Sequence, residues 1–309
     1  MNLVSVITPT YDRAHTLPDT FRSLLDQRHV QEWIVSDDGS TDRTAELVEE
    51  FRTRAPFPIR YLWQQHAGKH LAVNRGVAVA EAPLTLLLDS DDTVLPGALD
   101  RLVAHWQALP DPADFVGVTG FTVTADGRVI GKAFPADTVD ATWQEMVYRD
   151  HVVGDKKGIM RTDVLKAHPY RSVGGYVYEG EVYRQIGYRY RTRCVNLPVL
   201  AKRTAGADRL TARPFADIVP GAISFHSAVL NEDIDWLPHR PREFVVSAGL
   251  LARGLLHQGI PVHRHTDRLA NRRAKLLWAA CLPLGWALYR QDLRRRPQAD
   301  RVPARGLAS

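Results

Sequence analysis

Strand-sized apolar runs alternate with segments of helical period through the first ninety residues of the chain. The runs are Leu3–Ile7, Glu32–Ser36, Ile59–Trp63 and Leu84–Leu88, each followed by polar or turn residues. Between them, Leu17, Phe21, Leu24 and Leu25 share one helical face, and Ala45, Val48 and Phe51 share another. Ser40-Thr41-Asp42 is a capping cluster before the second of these. Ala72, Val73, Gly76, Val77 and Ala80 make a third, small-residue face. The alternation predicts an α/β fold, with a mainly parallel sheet flanked by helices on both sides. A continuously apolar run such as Leu84–Leu88 fits a strand buried on both faces. Pro96 is expected to open a further helix carrying Leu99, Leu102, Val103 and Trp106. Residues 110–150 alternate turns with short β-like pieces, and Asp126-Gly127 is a hairpin-turn signal. Residues 154–205 form a second mixed region, and helical pattern returns from about residue 242.

The 309 residues include 45% hydrophobic and 24% charged side chains, ordinary for a folded domain. Cys194 and Cys281 match no paired-cysteine spacing, which argues against a disulfide framework or zinc site and for a reducing, cytoplasmic setting. Leu3–Ile7 runs directly into Pro9 with no signal-peptide pattern. The net charge of +5 is unevenly spread: residues 238–309 hold 14 Lys/Arg and 4 Asp/Glu. In this basic part, Leu276–Tyr289 is apolar, contains two tryptophans and is bracketed by arginines. It is too short and too broken by Pro283 and Gly285 to span a bilayer, but it suits peripheral contact with an anionic membrane face. The alternative is a helix packed on the rest of the protein. No nucleic-acid partner is expected, because the basic cluster lacks a recognised binding module. His263-Arg264-His265 reads as surface residues rather than a metal site.

Open α/β sheets bind ligands at the carboxyl ends of their strands. Here those ends read Thr8-Pro9-Thr10-Tyr11-Asp12-Arg13, Ser36-Asp37-Asp38-Gly39-Ser40 and Asp89-Ser90-Asp91-Asp92. Five carboxylates, Asp37, Asp38, Asp89, Asp91 and Asp92, are expected to converge there, which requires a cation, donors or protonation to offset their repulsion. Alternate carboxylates in the last segment suit one hard divalent ion, Mg²⁺ or Mn²⁺, shared with substrate phosphates. The competing reading is an acidic cap on the helix after Pro96. A carboxylate at Asp37 or Asp38 could accept the imide N–H of a pyrimidine, with Tyr11 packed on the ring.

Thr8-Pro9-Thr10-Tyr11, Val35 to Asp42, Gly68 to Gly76 and Leu88 to Asp92, in this order, resemble family 2 glycosyltransferases of the GT-A fold. The resemblance is clear over residues 1–105 and fainter to about 205. It implies inverting transfer from a nucleotide-diphosphate sugar. It further implies that Pro9, Tyr11 and Asp38 hold the base, that Asp89 contacts the ribose or the metal shell, and that Asp91 ligates Mn²⁺ or Mg²⁺ with Asp92 as its substitute. By the same resemblance, Ser90, Asp37, Lys69 and Asn74 are expected to complete the donor site, Lys69 as a phosphate cation. Inversion needs a carboxylate to take the acceptor proton. Glu179, in Tyr178-Glu179-Gly180-Glu181, is the first candidate, Glu181 the second and Asp155 the third.

The expected organisation is a catalytic domain over 1–210, with 1–92 binding the nucleotide sugar and 93–210 the acceptor, followed by a helical basic extension over 211–309. The acceptor is a saccharide, a lipid-linked group or a natural product. Two alternatives stand: a nucleotidyltransferase, disfavoured by the lack of glycine in Thr8–Arg13, and an inactive membrane-associated scaffold subunit.

Overall fold

A computed structural model of the chain describes residues 3–171, 176–203 and 215–295. The chain divides into two compact units, Met1–Leu210 and Thr211–Ser309. The boundary at 210 and 211 lies outside the described residues.

The first unit is built on one nine-stranded sheet. Strands β1 (Val4–Thr10), β2 (Val30–Asp37), β3 (Ile59–Trp63) and β4 (Leu84–Leu87) coincide with the four apolar runs. They pair in parallel in the order β3-β2-β1-β4. Helices α1 (Leu17–Leu25), α2 (Thr44–Arg52) and α3 (Lys69–Val79) form the crossovers. Both sheet faces are covered, so β1 and β4 are buried at every position. On one face Trp33 stacks with Phe21 and Phe51, and its indole N–H donates to Thr8 Oγ1 at 2.9 Å. On the other, Gly76 lets α3 approach Ile7 so closely that a Cβ would lie 2.5 Å from its Cγ2.

The remaining strands are β5 (Asp92–Val94), β6 (Phe115–Thr124), β7 (Thr138–Ala141), β8 (Lys156–Arg161) and β9 (Arg191–Lys202), and beyond β4 the sheet continues in the order β8-β6-β9-β5, with β7 also paired to β9. β8 pairs antiparallel with both β4 and β6, while β6 and β9 run parallel. The nucleotide and acceptor parts expected from sequence therefore share one sheet. Helix α4 (Ala98–Gln107) starts after Gly97, in left-handed geometry at φ 65°, so Pro96 stands outside the helix it was expected to open. Asp92 does not cap that helix: it lies in β5, paired with Lys202 of β9. Helices α5 (Thr162–Ala167) and α6 (Gly180–Gly187) complete the unit, and Asp126-Gly127 forms a turn closed by a Val123–Val129 bridge.

The second unit contains α7 (Val219–Glu232), α8 (Pro241–His257) and α9 (Arg272–Arg295). Gly249 of α8 and Gly285 of α9 allow close contact: a Cβ on the first would meet Leu284, and one on the second would meet Ala252. His265 is fully buried, hydrogen-bonded to the Ile260 carbonyl at 2.7 Å and edge-on to Trp278. It is a packed core residue rather than a surface one. Among the described residues, no helix is long and apolar enough to cross a membrane.

Candidate functional site

The carboxyl end of β4, the amino end of antiparallel β8 and the start of α6 bring together a network of opposite charges. Asp89, Asp91 and Asp92 follow β4, and their carboxylate oxygens lie within 4.8 Å of one another. Lys69, the first residue of α3, pairs with Asp89 at 2.8 Å and with Glu179 at 2.7 Å. Lys157 of β8 reaches the other oxygens of the same two acids at 3.8 and 3.7 Å. Lys202 of β9 binds Asp155 at 2.5 Å. Burial alone would lower the pKa of the Lys69 and Lys157 ammonium groups, but the charges of Asp89 and Glu179 outweigh it and hold both well above the ordinary lysine value. Reciprocally, Lys157 and then Lys69 hold the Glu179 carboxyl well below its usual range. For Asp89 burial opposes ionisation, yet the same two lysines keep it ionised.

Asp92 differs. It is fully buried, and among the described residues neither carboxylate oxygen has a hydrogen-bond partner. Burial first, and the charge of Asp89 next, push its carboxyl up to about 7. An orphaned buried carboxylate facing two others is costly unless a cation joins them. Among the described residues, the five acids Asp89, Asp91, Asp92, Asp155 and Glu179 meet three ammonium groups, those of Lys69, Lys157 and Lys202, an excess of acid that one divalent ion would offset. Oxygen-only donors suit a hard ion. The acidic cluster therefore fits a divalent metal, with Asp91 and Asp92 in no lysine ion pair among the described residues and Asp89 already paired twice.

Asp37 and Asp38 do not join this cluster. Asp37 accepts from the Ser40 amide and the Tyr61 hydroxyl, and so holds the turn after β2. The Asp38 carboxylate is buried and takes Gln64 Nε2 at 2.7 Å, the Ala67 amide at 2.9 Å and the Gly68 amide at 2.8 Å, with His66 Nδ1 at 2.9 Å. It anchors the loop that starts α3, and that use competes with the base-reading role expected of it. Gly39 permits the arrangement: its φ is 93°, and a Cβ there would sit 2.8 Å from the His66 amide nitrogen. Tyr11 is half exposed, and its ring lies against His66 with centroids 4.4 Å apart.

Other expected residues are also placed by backbone contacts. Pro9 is buried in β1 opposite Ser36. The Ser90 carbonyl accepts from Thr20 Oγ1. Asn74 donates to the Tyr170 carbonyl at 2.8 Å and accepts from the Tyr170 amide at 2.9 Å, a two-way clamp between α3 and the segment before α6. Glu181 is buried and paired with Arg171 at 2.7 Å, whereas Glu179 joins the lysines. Lys157, Lys202 and His66 were not expected from sequence. The only signal for Lys157 was a lysine pair entering a strand, where alternate residues face opposite sides.

Residues 5–167 match the family described as Glycosyl transferase family 2, more than half of the chain. An uncharacterised glycosyltransferase of Nostoc sp. is 34% identical over 126 residues, covering 40% of this chain and 38% of that protein. The putative teichuronic acid biosynthesis glycosyltransferase TuaG of Bacillus subtilis is 32% identical over 133 residues, covering 42% and 51%. The chain thus spans about half or less of the length of these relatives. Among solved structures, S. aureus TarS 1-349 in complex with UDP-GlcNAc aligns with a TM-score of 0.66 at 16% identity, over 94% of this chain and 90% of that one.

Proposed function

The chain belongs to glycosyl transferase family 2, with the GT-A fold, and from that premise we propose that it transfers a sugar, with inversion, from a nucleotide-diphosphate donor to an acceptor hydroxyl. The observation that carries this is the orphaned Asp92 carboxylate beside Asp89 and Asp91, directly across from the lysine-bound Glu179 network. Asp91 and Asp92, with Asp89, would hold Mn²⁺ or Mg²⁺. When bound, such an ion neutralises charge on the leaving diphosphate. Lys69 and Lys157 add positive charge beside it. The acceptor oxygen bonds to the anomeric carbon as the bond from that carbon to the diphosphate oxygen breaks. The electron pair leaves with the nucleoside diphosphate, and the acceptor proton passes to Glu179. Glu179 is ionised as a base must be, but its two lysines make it a weak one. Transfer of lysine contacts from Glu179 to the donor phosphates would raise its basicity when the donor is bound.

The UDP-sugar bound by TarS supports a nucleotide-sugar donor, and the TuaG relative supports a role in envelope polysaccharide assembly. Peripheral membrane contact is favoured by α9. Its solvent face places Leu276, Pro283 and Trp286 between Arg272, Arg273 and Lys275 at one end and Arg290 and Arg294 at the other. Its one acid, Asp292, is turned inward to Arg253 and His257. Such a face suits anionic lipid headgroups.

The test is a thermal-shift screen of UDP, dTDP, GDP and CMP with and without Mn²⁺, on the wild type and on Asp91→Ala. One diphosphate should stabilise the wild type only with the metal, by about 2.7 kcal/mol at a hundredfold excess over Kd. The variant should fold, lose that response and lose transfer. An Asp91→Ala protein with unchanged Mn²⁺-dependent turnover would sink the assignment.

A further inference from the structure

A cavity of about 240 Å³ opens beside Glu179, between the sheet and α6. Thr119, Tyr183, Tyr190 and Thr192 bring hydroxyl groups to its wall. Asp155, Lys156, Lys157 and Glu179 bring charge. Such a wall can pair with the hydroxyls of a sugar or an alditol. Three of its four charges are already matched: Glu179 holds Lys69 and Lys157, and Asp155 holds Lys202 at 2.5 Å. Lys156 stands apart. Its ammonium donates to the Val153 carbonyl at 3.0 Å and lies 5.7 Å from the centre of the Phe134 ring, and among the described residues it is in no ion pair. One of its three N–H donors is thereby used. Burial lowers its pKa, and the nearby charge of Asp155 works against that shift without cancelling it. An ammonium partly withdrawn from water without a counter-ion is unfavourable, and an incoming anion relieves it.

Two loops hold this ammonium in place. Gly131 and Gly154 both have φ 90°, and they cross so closely that a Cβ on Gly131 would lie 2.2 Å from the Val153 oxygen. The amide of Lys132, next in the chain, donates to that same oxygen at 3.0 Å. The Lys132 side chain is exposed and donates to the Asp150 carbonyl at 3.1 Å, and it too is in no ion pair among the described residues. Two cations without acid partners therefore flank the crossing, Lys156 on the cavity wall and Lys132 outside it.

We infer that this cavity is the acceptor pocket and that it selects a hydroxyl-rich unit bearing an anion, a phosphate or a carboxylate, which sits on Lys156 with Lys132 as its outer neighbour. This rests on the transferase function above and goes beyond it by naming the charge of the acceptor. The anion takes no part in bond making. Held at Lys156, it sets which hydroxyl of the same unit is presented to Glu179.

Calorimetric titration of the full chain with D-glucuronate, α-D-glucose 1-phosphate and the uncharged methyl β-D-glucopyranoside, all without metal, tests the assignment on the wild type, Lys156→Met and Lys156→Arg. At least one anionic probe should bind the wild type about tenfold or more tighter than the glucoside. That gap should close in Lys156→Met and largely return in Lys156→Arg, while the glucoside binds all three proteins alike. The tighter anion tells a phosphate from a carboxylate. No preference for either anion, a preference that survives Lys156→Met, or binding of no probe to a folded protein would each overturn the inference. If Lys156→Met does not fold, Lys132→Met decides it: the anionic probe should weaken about two- to fivefold with the glucoside unchanged, and an unmoved anion affinity refutes the site. Absence of any nucleotide response with Mn²⁺ in the wild type, with the anion results intact, would count against the transferase function and leave the anion site standing.

Discussion

Asp38→Ala separates two roles for one carboxylate. If Asp38 anchors the loop 64–68, its removal deprives the Ala67 and Gly68 amides, Gln64 Nε2 and His66 Nδ1 of their shared acceptor. Bonds to a charged acceptor contribute about 1.5–3 kcal/mol each, but the loop is partly exposed and water can replace some of them. The two peptide donors at the start of α3 are the least replaceable, which sets the expected loss at roughly 3 kcal/mol. For a unit of this size that corresponds to a fall of about 6–12 °C in melting temperature. Lys69 follows directly in α3, so its contacts to Asp89 and Glu179 should loosen as well, and transfer should drop together with stability. Thermal melts by circular dichroism, with and without UDP and Mn²⁺, read both effects. A variant that melts within about 2 °C of wild type, yet no longer responds to nucleotide, would refute the anchoring role and restore Asp38 as the reader of the base.

Two further outcomes are expected of the second unit. Burial lowers the pKa of His226, which pairs with Ser247, to about 4, while the unfolded chain keeps the ordinary value near 6.5. The unfolded state binds the extra proton first. The contribution of the neutral ring is therefore complete above about pH 6.5 and is lost as pH falls toward 4, by about 3 kcal/mol. Urea midpoints at several pH values should fall through that window, and His226→Phe should flatten the fall; an equal fall in the variant would place the effect elsewhere. Sedimentation with phosphatidylglycerol vesicles should capture the protein at low salt and release it at high salt. The double variant Leu276→Ala, Trp286→Ala should reduce capture, and equal capture by neutral phosphatidylcholine vesicles would argue against the charge-plus-apolar contact.

Much of the fold was legible because its signals are local. Four apolar runs and the helical faces between them specify the parallel half of the sheet, since a strand buried on both sides must be apolar throughout. The acids after β4 were legible for the same reason: residues that leave a buried strand at its carboxyl end must gather at that edge. The charge network was not. Lys157 meets Asp89, and Lys69 meets Glu179, across 68 and 110 residues of chain, and only the pairing of β8 with β4 and the seating of α6 bring them together. Nor does a sequence say which oxygen atoms are already engaged. Asp38 spends its carboxylate on a loop 26 to 30 residues away, and Asn74 spends its amide on the backbone of Tyr170. Glu179 and Glu181 are equivalent as letters, but near-opposite faces of one helical turn send the first to the lysines and the second to Arg171. The sequence by itself determined which chemical groups the protein owns and the layers that carry them. The tertiary structure decided which of those groups remain free to act, because hydrogen bonds and ion pairs are satisfied by neighbours in space, not along the chain.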